Sequence, residues 1–269
     1  MRFTLSSSAL TNKLVALSKV INSKNSLPIL ADFVFEIENN TLRLTASDSE
    51  NTMKTSLELN ESDSNGVFAI GNHDLIEAVK GISEQPITFD VNLQDNIAKI
   101  SYLNGLFSLP IDSADEFPIA QEISAGANVI NINSNVLAEN INRSLFATGQ
   151  DEIRPVMNGI FFDLSPESLS IVATDGHKLV RNKILILNNE VPASFILPKK
   201  PANLLRSMLS KDGGDVTIKF DDRNAEINFG DGMIKCRLIE GRYPNYNSVI
   251  PQSNPNQLSV DRAALLSAL

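Results

Sequence analysis

One pattern of residues occurs twice in the chain at a fixed spacing. Residues 28–48 align with residues 155–175 without a gap, an offset of 127 positions. Both copies begin with proline and end with Ala-x-Asp, and the large apolar residues of the first copy meet apolar residues in the second. Agreement at so many independent positions indicates a duplicated structural unit.

The duplicated stretch predicts a β-hairpin in each copy. Apolar and polar residues alternate on both sides of a short polar turn, at 39–40 in the first copy and 165–168 in the second. A strand and a helix precede the first hairpin, with Ser8 as the expected N-cap of that helix. A strand, a helix and several strands follow one another twice in each unit. We therefore predict an α+β fold of repeated domains, each with two helices packed on antiparallel β-sheets.

The repeat also divides the chain into domains. We predict a first domain at residues 1–125 and a second at residues 126–254, joined by an acidic linker rich in small residues. A third copy begins in residues 255–269, where the apolar spacing of the second unit's first strand and helix returns. We expect two complete units and the opening of a third, with the chain truncated near the start of its third domain.

Composition fits a protein of the cytoplasm. The 269 residues are 42% hydrophobic, which suffices for two ordinary cores. No run approaches the length of a membrane span, and the N-terminus does not resemble a secretory signal, so we expect no membrane association. The single cysteine, Cys236, lies in an alternating apolar segment and is predicted to be a buried, inert thiol. One cysteine cannot form an intrachain disulfide, which suits a reducing compartment.

Charge is unevenly distributed in this acidic chain. The formal net charge is −9 at pH 7, which by itself argues against a nucleic-acid partner. Two stretches, residues 6–30 and 199–211, nevertheless contain basic residues and no acid. These basic residues are Lys13, Lys19, Lys24, Lys199, Lys200, Arg206 and Lys211. They suit sequence-independent attraction to DNA phosphates, although an ordinary solvated helix face is the alternative interpretation.

Five short motifs resemble a single known family. They are LPIL at 27–30, FPI at 117–119, NGIFF at 158–162, ATDGHKL at 173–179 and GRYPNY at 241–246. In these motifs, and along its whole length, the chain resembles the bacterial DNA polymerase III beta subunit, the beta sliding clamp. The resemblance implies three domains of the DNA-clamp fold in each protomer. It also implies a processivity factor of DNA replication, without catalytic activity, cofactor or metal, whose ring encircles duplex DNA.

The resemblance assigns residues to the DNA-facing surface. The residue Lys24 and the loop at 148–154, with Gln150 and Arg154, would face the hole of the ring and contact duplex DNA regardless of its sequence. Together with the basic helix, the predicted DNA-binding residues are Lys24, Gln150, Arg154, Lys199, Lys200 and Arg206. The loop is one residue longer than the family pattern, which leaves the register of Gln150 and Arg154 open.

The resemblance also implies a peptide pocket. In the family, it binds short apolar motifs of the DNA polymerase III alpha subunit, the clamp loader and repair polymerases. Its residues here would be Met157, Thr174, Gly176, His177, Lys178, Leu179, Pro244 and Val249. An apolar floor would bury a peptide Leu or Phe, and polar groups would fix its direction. Lys178 and Ser248 depart from the family, because arginines are expected at both positions.

A homodimer interface is implied as well. Phe107 and Leu109, on an edge strand of the first domain, would pack against the third domain of the other protomer. Such a contact joins two different patches, and the ring closes only when both are present. We therefore expect a homodimer of the full-length protein and no closed ring of this chain alone.

The sequence leaves two alternatives to the clamp to be considered. A hydrolase could use Asp175 and His177, but only two histidines are present and no acid and histidine cluster has ligand spacing. The first copy carries Asp48 at the place of Asp175, which indicates a scaffold role for both. A protein-binding scaffold without a DNA role is compatible with the composition and stays open.

Overall fold

A computed structural model describes residues 1–25, 27–185, 192–209 and 213–269. Lys211, one of the predicted basic residues, lies outside the described residues. The chain folds into two units of the same design, which we call the first unit and the second unit. None of the helices in the described ranges is long and apolar enough to cross a membrane.

The first unit consists of two antiparallel sheets and two helices. Its elements are β1 (Arg2–Ser6), α1 (Ser7–Leu17), β2 (Asp32–Glu38), β3 (Thr41–Ser47), β4 (Asn51–Glu58), β5 (Glu61–Ser62), β6 (Gly66–Gly71), α2 (Asn72–Lys80), β7 (Pro86–Asn92), β8 (Ile97–Tyr102) and β9 (Gly105–Asp112). The strand orders are β4-β3-β2-β6 and β9-β8-β7-β1, with the short β5 beside β1. A short pairing of β6 with β9 joins the two sheets.

The second unit repeats this order. Its elements are β10 (Asn128–Asn133), α3 (Ser134–Leu145), β11 (Gly159–Ser165), β12 (Ser168–Thr174), β13 (Leu179–Leu185), β14 (Ala193–Pro198), α4 (Lys199–Met208), β15 (Asp215–Phe220), β16 (Asn224–Phe229) and β17 (Gly232–Arg237). The strand orders are β13-β12-β11-β14 and β17-β16-β15-β10. Hairpins β2–β3 and β11–β12 therefore take equivalent places, as the duplication predicts. A short exposed helix, α5 (Arg262–Ala268), follows.

The two units share one continuous sheet. Strand β17 of the second unit pairs antiparallel with β4 of the first, in a register that sets Cys236 opposite Asn51. The thiol of Cys236 is buried in this strand, and burial raises its pKa to about 12, as expected for an inert cysteine. Backbone pairing thus fixes how the second unit sits beside the first.

Cross-strand aromatic pairs occupy the same place in both cores. Phe35 of β2 stacks on Phe68 of β6, with ring centroids 5.1 Å apart. Their counterparts in the repeat, Phe162 of β11 and Phe195 of β14, stack at 4.6 Å. Each pair is buried, so burial of apolar area and ring stacking both stabilise it. The repeat therefore places the same stacked pair between equivalent strands of both units.

The first helix begins earlier than predicted. Ser6, at the end of β1, has an extended backbone, and its Oγ accepts a hydrogen bond from the Ala9 amide at 3.1 Å. Ser8 instead donates its amide to Glu84 at 3.0 Å. Ser6 is therefore the N-cap, because β1 runs directly into the helix and its last residue already carries the capping hydroxyl.

A buried carboxyl group near the joint of the two first-unit sheets generates a stability prediction. Burial, and secondarily the charge of Asp112, raise the pKa of Asp32 to about 6. Because the folded pKa exceeds the unfolded value of 3.8, the unfolding free energy should fall as pH rises from about 4 to 6. Asp32→Asn should remove this loss and stabilise the protein at pH 8 by about 1–2 kcal/mol. Urea unfolding of both proteins at pH 5 and pH 8 measures the change in unfolding free energy. An equal change at the two pH values would contradict the prediction.

Candidate functional site

The loop that follows β12 is held in a closed conformation by its own polar groups. The carboxylate of Asp175 accepts hydrogen bonds from the amides of His177 and Lys178 at 2.9 and 3.0 Å. Thr174 Oγ1 accepts from the Gly176 amide and donates to the Lys178 carbonyl. Gly176 has a φ of +89°, a left-handed conformation that favours glycine. The sequence thus folds residues 174–179 into a fixed turn.

Asp175 is a structural acceptor in this turn. The ammonium of Lys178 and then the two amides hold the pKa of Asp175 well below its usual range. In the first unit, Asp48 accepts the same pair of hydrogen bonds, from the amides of Glu50 and Asn51. A carboxylate that caps the same turn in both copies belongs to the scaffold. Within the described ranges, no group of three His, Cys, Asp or Glu residues could hold a metal ion.

A cavity of about 290 Å³ opens beside this turn. The turn forms one wall, Met157 contributes from the loop before β11, and residues 244–249 form the opposite wall. Its lining comprises all eight predicted residues together with Asn245 and Tyr246: Met157, Thr174, Gly176, His177, Lys178, Leu179, Pro244, Asn245, Tyr246 and Val249. Met157 and Leu179 are half-buried and Val249 is exposed, so apolar surface is accessible to a ligand.

Arg154, one of the predicted DNA-binding residues, lies beside Gly176 of the turn. A side chain at Gly176 would meet the Arg154 guanidinium at 3.1 Å. Arg154 Nε also donates to Asp151 at 3.1 Å. The reason is local: the Gly149 amide donates to the Met157 carbonyl at 2.7 Å and folds the loop back toward β11. Gln150 remains exposed in the same loop.

Lys199 connects the cavity with helix α4. Its ammonium donates to the carbonyl of Gly149, in the loop that carries Gln150. Burial, and secondarily the charge of Lys178, lower the pKa of Lys199. The start of α4 is therefore a neighbour of the cavity wall, and the two predicted sites adjoin each other.

Lys200, another predicted DNA-binding residue, forms polar contacts at the junction of the two units. Its Nζ donates to the Val20 carbonyl and Asn22 Oδ1, both at 2.6 Å. It also forms an ion pair of 2.5 Å with Asp48, whose side chain is only 3% exposed. The buried carboxylate of the first-unit turn attracts this ammonium and neutralises it.

The basic residues Lys13, Lys24 and Arg206 differ in ion pairing and in exposure to solvent. Lys13 of α1 pairs with Asp231, again across the unit junction. Lys24 and Arg206 are exposed and form no ion pair with any residue in the described part of the chain. Among the predicted DNA-binding cations, these two are available to a polyanion.

Two protein-family models match most of the chain. The model of the DNA polymerase III beta subunit N-terminal domain matches residues 1–121, and the model of its central domain matches residues 131–245. The chain belongs to the DNA polymerase III beta subunit family. It is accordingly a sliding clamp, a processivity factor of DNA replication.

Individual relatives agree with this family. The beta sliding clamp of Buchnera aphidicola is 25% identical, over all of this chain and 73% of its own length. That of Synechococcus elongatus is 27% identical, over all of this chain and 72% of its length. A Pseudomonas aeruginosa sliding clamp, solved with bound griselimycin, superposes with a TM-score of 0.89 at 24% identity, covering 95% of this chain and 69% of its own. The α+β clamp fold is therefore confirmed.

Sequence reasoning missed two residues that line the clamp's cavity. Asn245 and Tyr246 belong to the GRYPNY motif, and their adjacency to Pro244 was the available signal. Both meet the turn through contacts between segments far apart in sequence.

The predicted interface residues of the clamp lie on strand β9. Phe107 and Leu109 are half-buried there, and Phe107 stacks on Tyr102 with ring centroids 5.5 Å apart. Within the described residues, β9 pairs with β6 only at its last two positions. Most of one edge of β9 is therefore open.

Replacing Lys200 should destabilise the clamp. Lys200→Ala removes three polar contacts and leaves the buried Asp48 without its cation, so the unfolding free energy should fall by about 2 kcal/mol. Lys24→Ala is the matched control, because replacing this exposed lysine should lower the unfolding free energy by less than about 0.5 kcal/mol. Urea unfolding followed by circular dichroism compares them. Equal losses would contradict a role of Lys200 at the junction.

Proposed function

We propose that the cavity beside the Thr174–Leu179 turn binds short apolar linear motifs of replication and repair proteins. The DNA polymerase III alpha subunit, the clamp loader and repair polymerases are the partners that clamp identity suggests. The observation that carries the proposal is the convergence of eight predicted residues, from three separate segments, on one cavity.

The chemistry of the lining supports a peptide ligand. Met157, Leu179 and Val249 present apolar surface that can bury a Leu or Phe side chain, a gain of about 1.5–3 kcal/mol for each. Lys178 and Arg154 stand at the margin, where they can meet a carboxylate or carbonyl of the motif. The protein acts here by binding alone, without catalysis or a cofactor.

A charge inserted into the floor should abolish motif binding. Leu179→Asp or Met157→Asp would bury an unpaired carboxylate against the ligand, which should weaken the binding free energy by about 3 kcal/mol. Fluorescence anisotropy with a labelled peptide that contains Leu and Phe measures the affinity. Leu103→Asp is the matched control, because Leu103 is exposed in the first unit, away from the cavity. Unchanged binding by both folded pocket variants would contradict the proposal.

The DNA-facing surface is proposed to consist of Lys24 and Arg206, with Lys199 and Gln150 beside them. Its support is the presence of exposed, unpaired cations on an otherwise acidic protein with a net charge of −9. Diffuse phosphate attraction carries no sequence information, so it allows a clamp to slide. We assign this function to the cytoplasm.

The salt dependence of DNA binding tests this surface. Replacing Lys24 and Arg206 together with alanine should lower the slope of log affinity against log salt by about 1.8 on duplex DNA. Lys200→Ala should leave the slope unchanged, because Asp48 already neutralises that charge. An unchanged slope in the double variant would instead favour a protein-binding scaffold without a DNA role.

We propose that the ring closes through strand pairing of the same kind as the β17–β4 pairing within this chain. Strand β9 has the place in the first unit that β17 has in the second, and β13 has the place of β4. Since β17 pairs with β4, the open edges of β13 and β9 can each accept a further unit. Phe107 and Leu109 would then pack against another protomer, which makes the full-length protein a head-to-tail homodimer. The domain boundaries at 125 and 254 remain predictions.

A further inference from the structure

A small aromatic cluster lies behind the cavity of the second unit. The rings of Phe161 and Tyr243 stack with centroids 4.5 Å apart and planes 3° from parallel. Tyr246 meets Phe161 edge-on at 6.3 Å. Val172 and Ile196 belong to the same buried cluster, which is separate from the main core and is also contacted by Val156, Leu179, Ile239 and Ile250. Both tyrosine side chains are nearly fully buried.

The two tyrosine hydroxyls tie one cavity wall to the sheet. Tyr243 Oη accepts a hydrogen bond from the Thr174 amide at 3.0 Å, and Tyr246 Oη donates to the carboxylate of Asp163 at 2.7 Å. Residues 241–250, which contain both tyrosines, pair with no strand among the described residues. Pro244 lies between the two anchored tyrosines, so side-chain contacts determine where this wall stands.

The first unit provides an internal comparison. At the positions of Phe161, Tyr243 and Tyr246 it has Val34, Phe117 and Ala120. Neither hydroxyl exists in that copy, and Phe117 is only half-buried. A smaller cavity of about 190 Å³ lies at the corresponding place in the first unit, and β17 forms part of its lining. The two hydroxyl contacts belong to the larger cavity of the second unit.

We infer that Tyr243 and Tyr246 are positioning residues for the peptide pocket, which hold its Pro244–Val249 wall at a fixed distance from the Thr174–Leu179 turn before a ligand arrives. This inference rests on the proposed peptide-binding function. A wall already held in place loses less conformational freedom on binding, so the ligand is bound more tightly. Thr174 links the two effects, because its amide meets Tyr243 and its hydroxyl closes the turn.

The contacts persist over the ordinary pH range. Burial raises the pKa of Tyr243 to about 12, and burial followed by the contact with Asp163 raises the pKa of Tyr246. Both phenols stay protonated at neutral pH, and the wall is held in the same way throughout.

Removing each hydroxyl without its ring tests the inference. Tyr243→Phe and Tyr246→Phe should each weaken binding of a labelled peptide containing Leu and Phe by about three- to tenfold. Calorimetry should show this loss as a less favourable binding entropy with an unchanged heat-capacity change, because the same apolar area is buried. Hydrogen exchange at the Thr174 amide should become faster in Tyr243→Phe. Tyr102→Phe, which removes a hydroxyl in the first unit, is the matched control and should bind like the wild type.

The outcomes separate this inference from the function beneath it. If the wild-type protein binds the peptide and both tyrosine variants bind equally well, the positioning role is wrong while the pocket stands. If the variants lose stability but keep affinity, the hydroxyls serve the fold alone, and the inference is also overturned. If the wild-type protein does not bind the peptide, the pocket assignment fails and the inference fails with it.

Discussion

The antiparallel pairing of β17 with β4 is the contact on which the arrangement of the two units depends. An edge strand exposes unpaired N–H and C=O groups that need a partner, and these two strands satisfy each other over five residue pairs. The result is one sheet that runs through both units. Polar contacts across the junction then follow, with Lys13 reaching Asp231 and Lys200 reaching Asp48. The backbone sets the register, and the charges reinforce it.

The same turn has different surroundings in the two copies. Asp48 and Asp175 each accept two amide hydrogen bonds from residues two and three positions later. In the first copy, the strand beyond the turn is covered by β17, and Asp48 Oδ2 accepts hydrogen bonds from Lys200 and from the Asn51 side chain. In the second copy, β13 lies at a sheet edge and the turn borders an open cavity. The proposed peptide pocket thus lies beside a strand edge that has no partner among the described residues.

The proposed DNA-facing surface of this acidic protein depends on which of its cations remain unpaired. Three of the basic residues on α1 and α4 are held by partners: Lys13 by Asp231, Lys199 by a backbone carbonyl, and Lys200 by Asp48. Lys24 and Arg206 are left exposed. A few separated cations give weak, diffuse attraction to phosphates, which suits a protein that must hold a duplex and slide along it.

By itself, the sequence determined the repeating α+β architecture. The alternation of apolar residues is a local pattern that is present in each copy, and Phe35 and Phe162 occupy the same position in it. The family resemblance located eight residues of the cavity lining, six of them inside the contiguous motifs ATDGHKL and GRYPNY. The surroundings of Arg154, Lys200 and Tyr243 were decided only in the tertiary structure. Each depends on a partner far away in the chain, at Gly176, Asp48 and Thr174, and no local pattern encodes which distant group a side chain will meet.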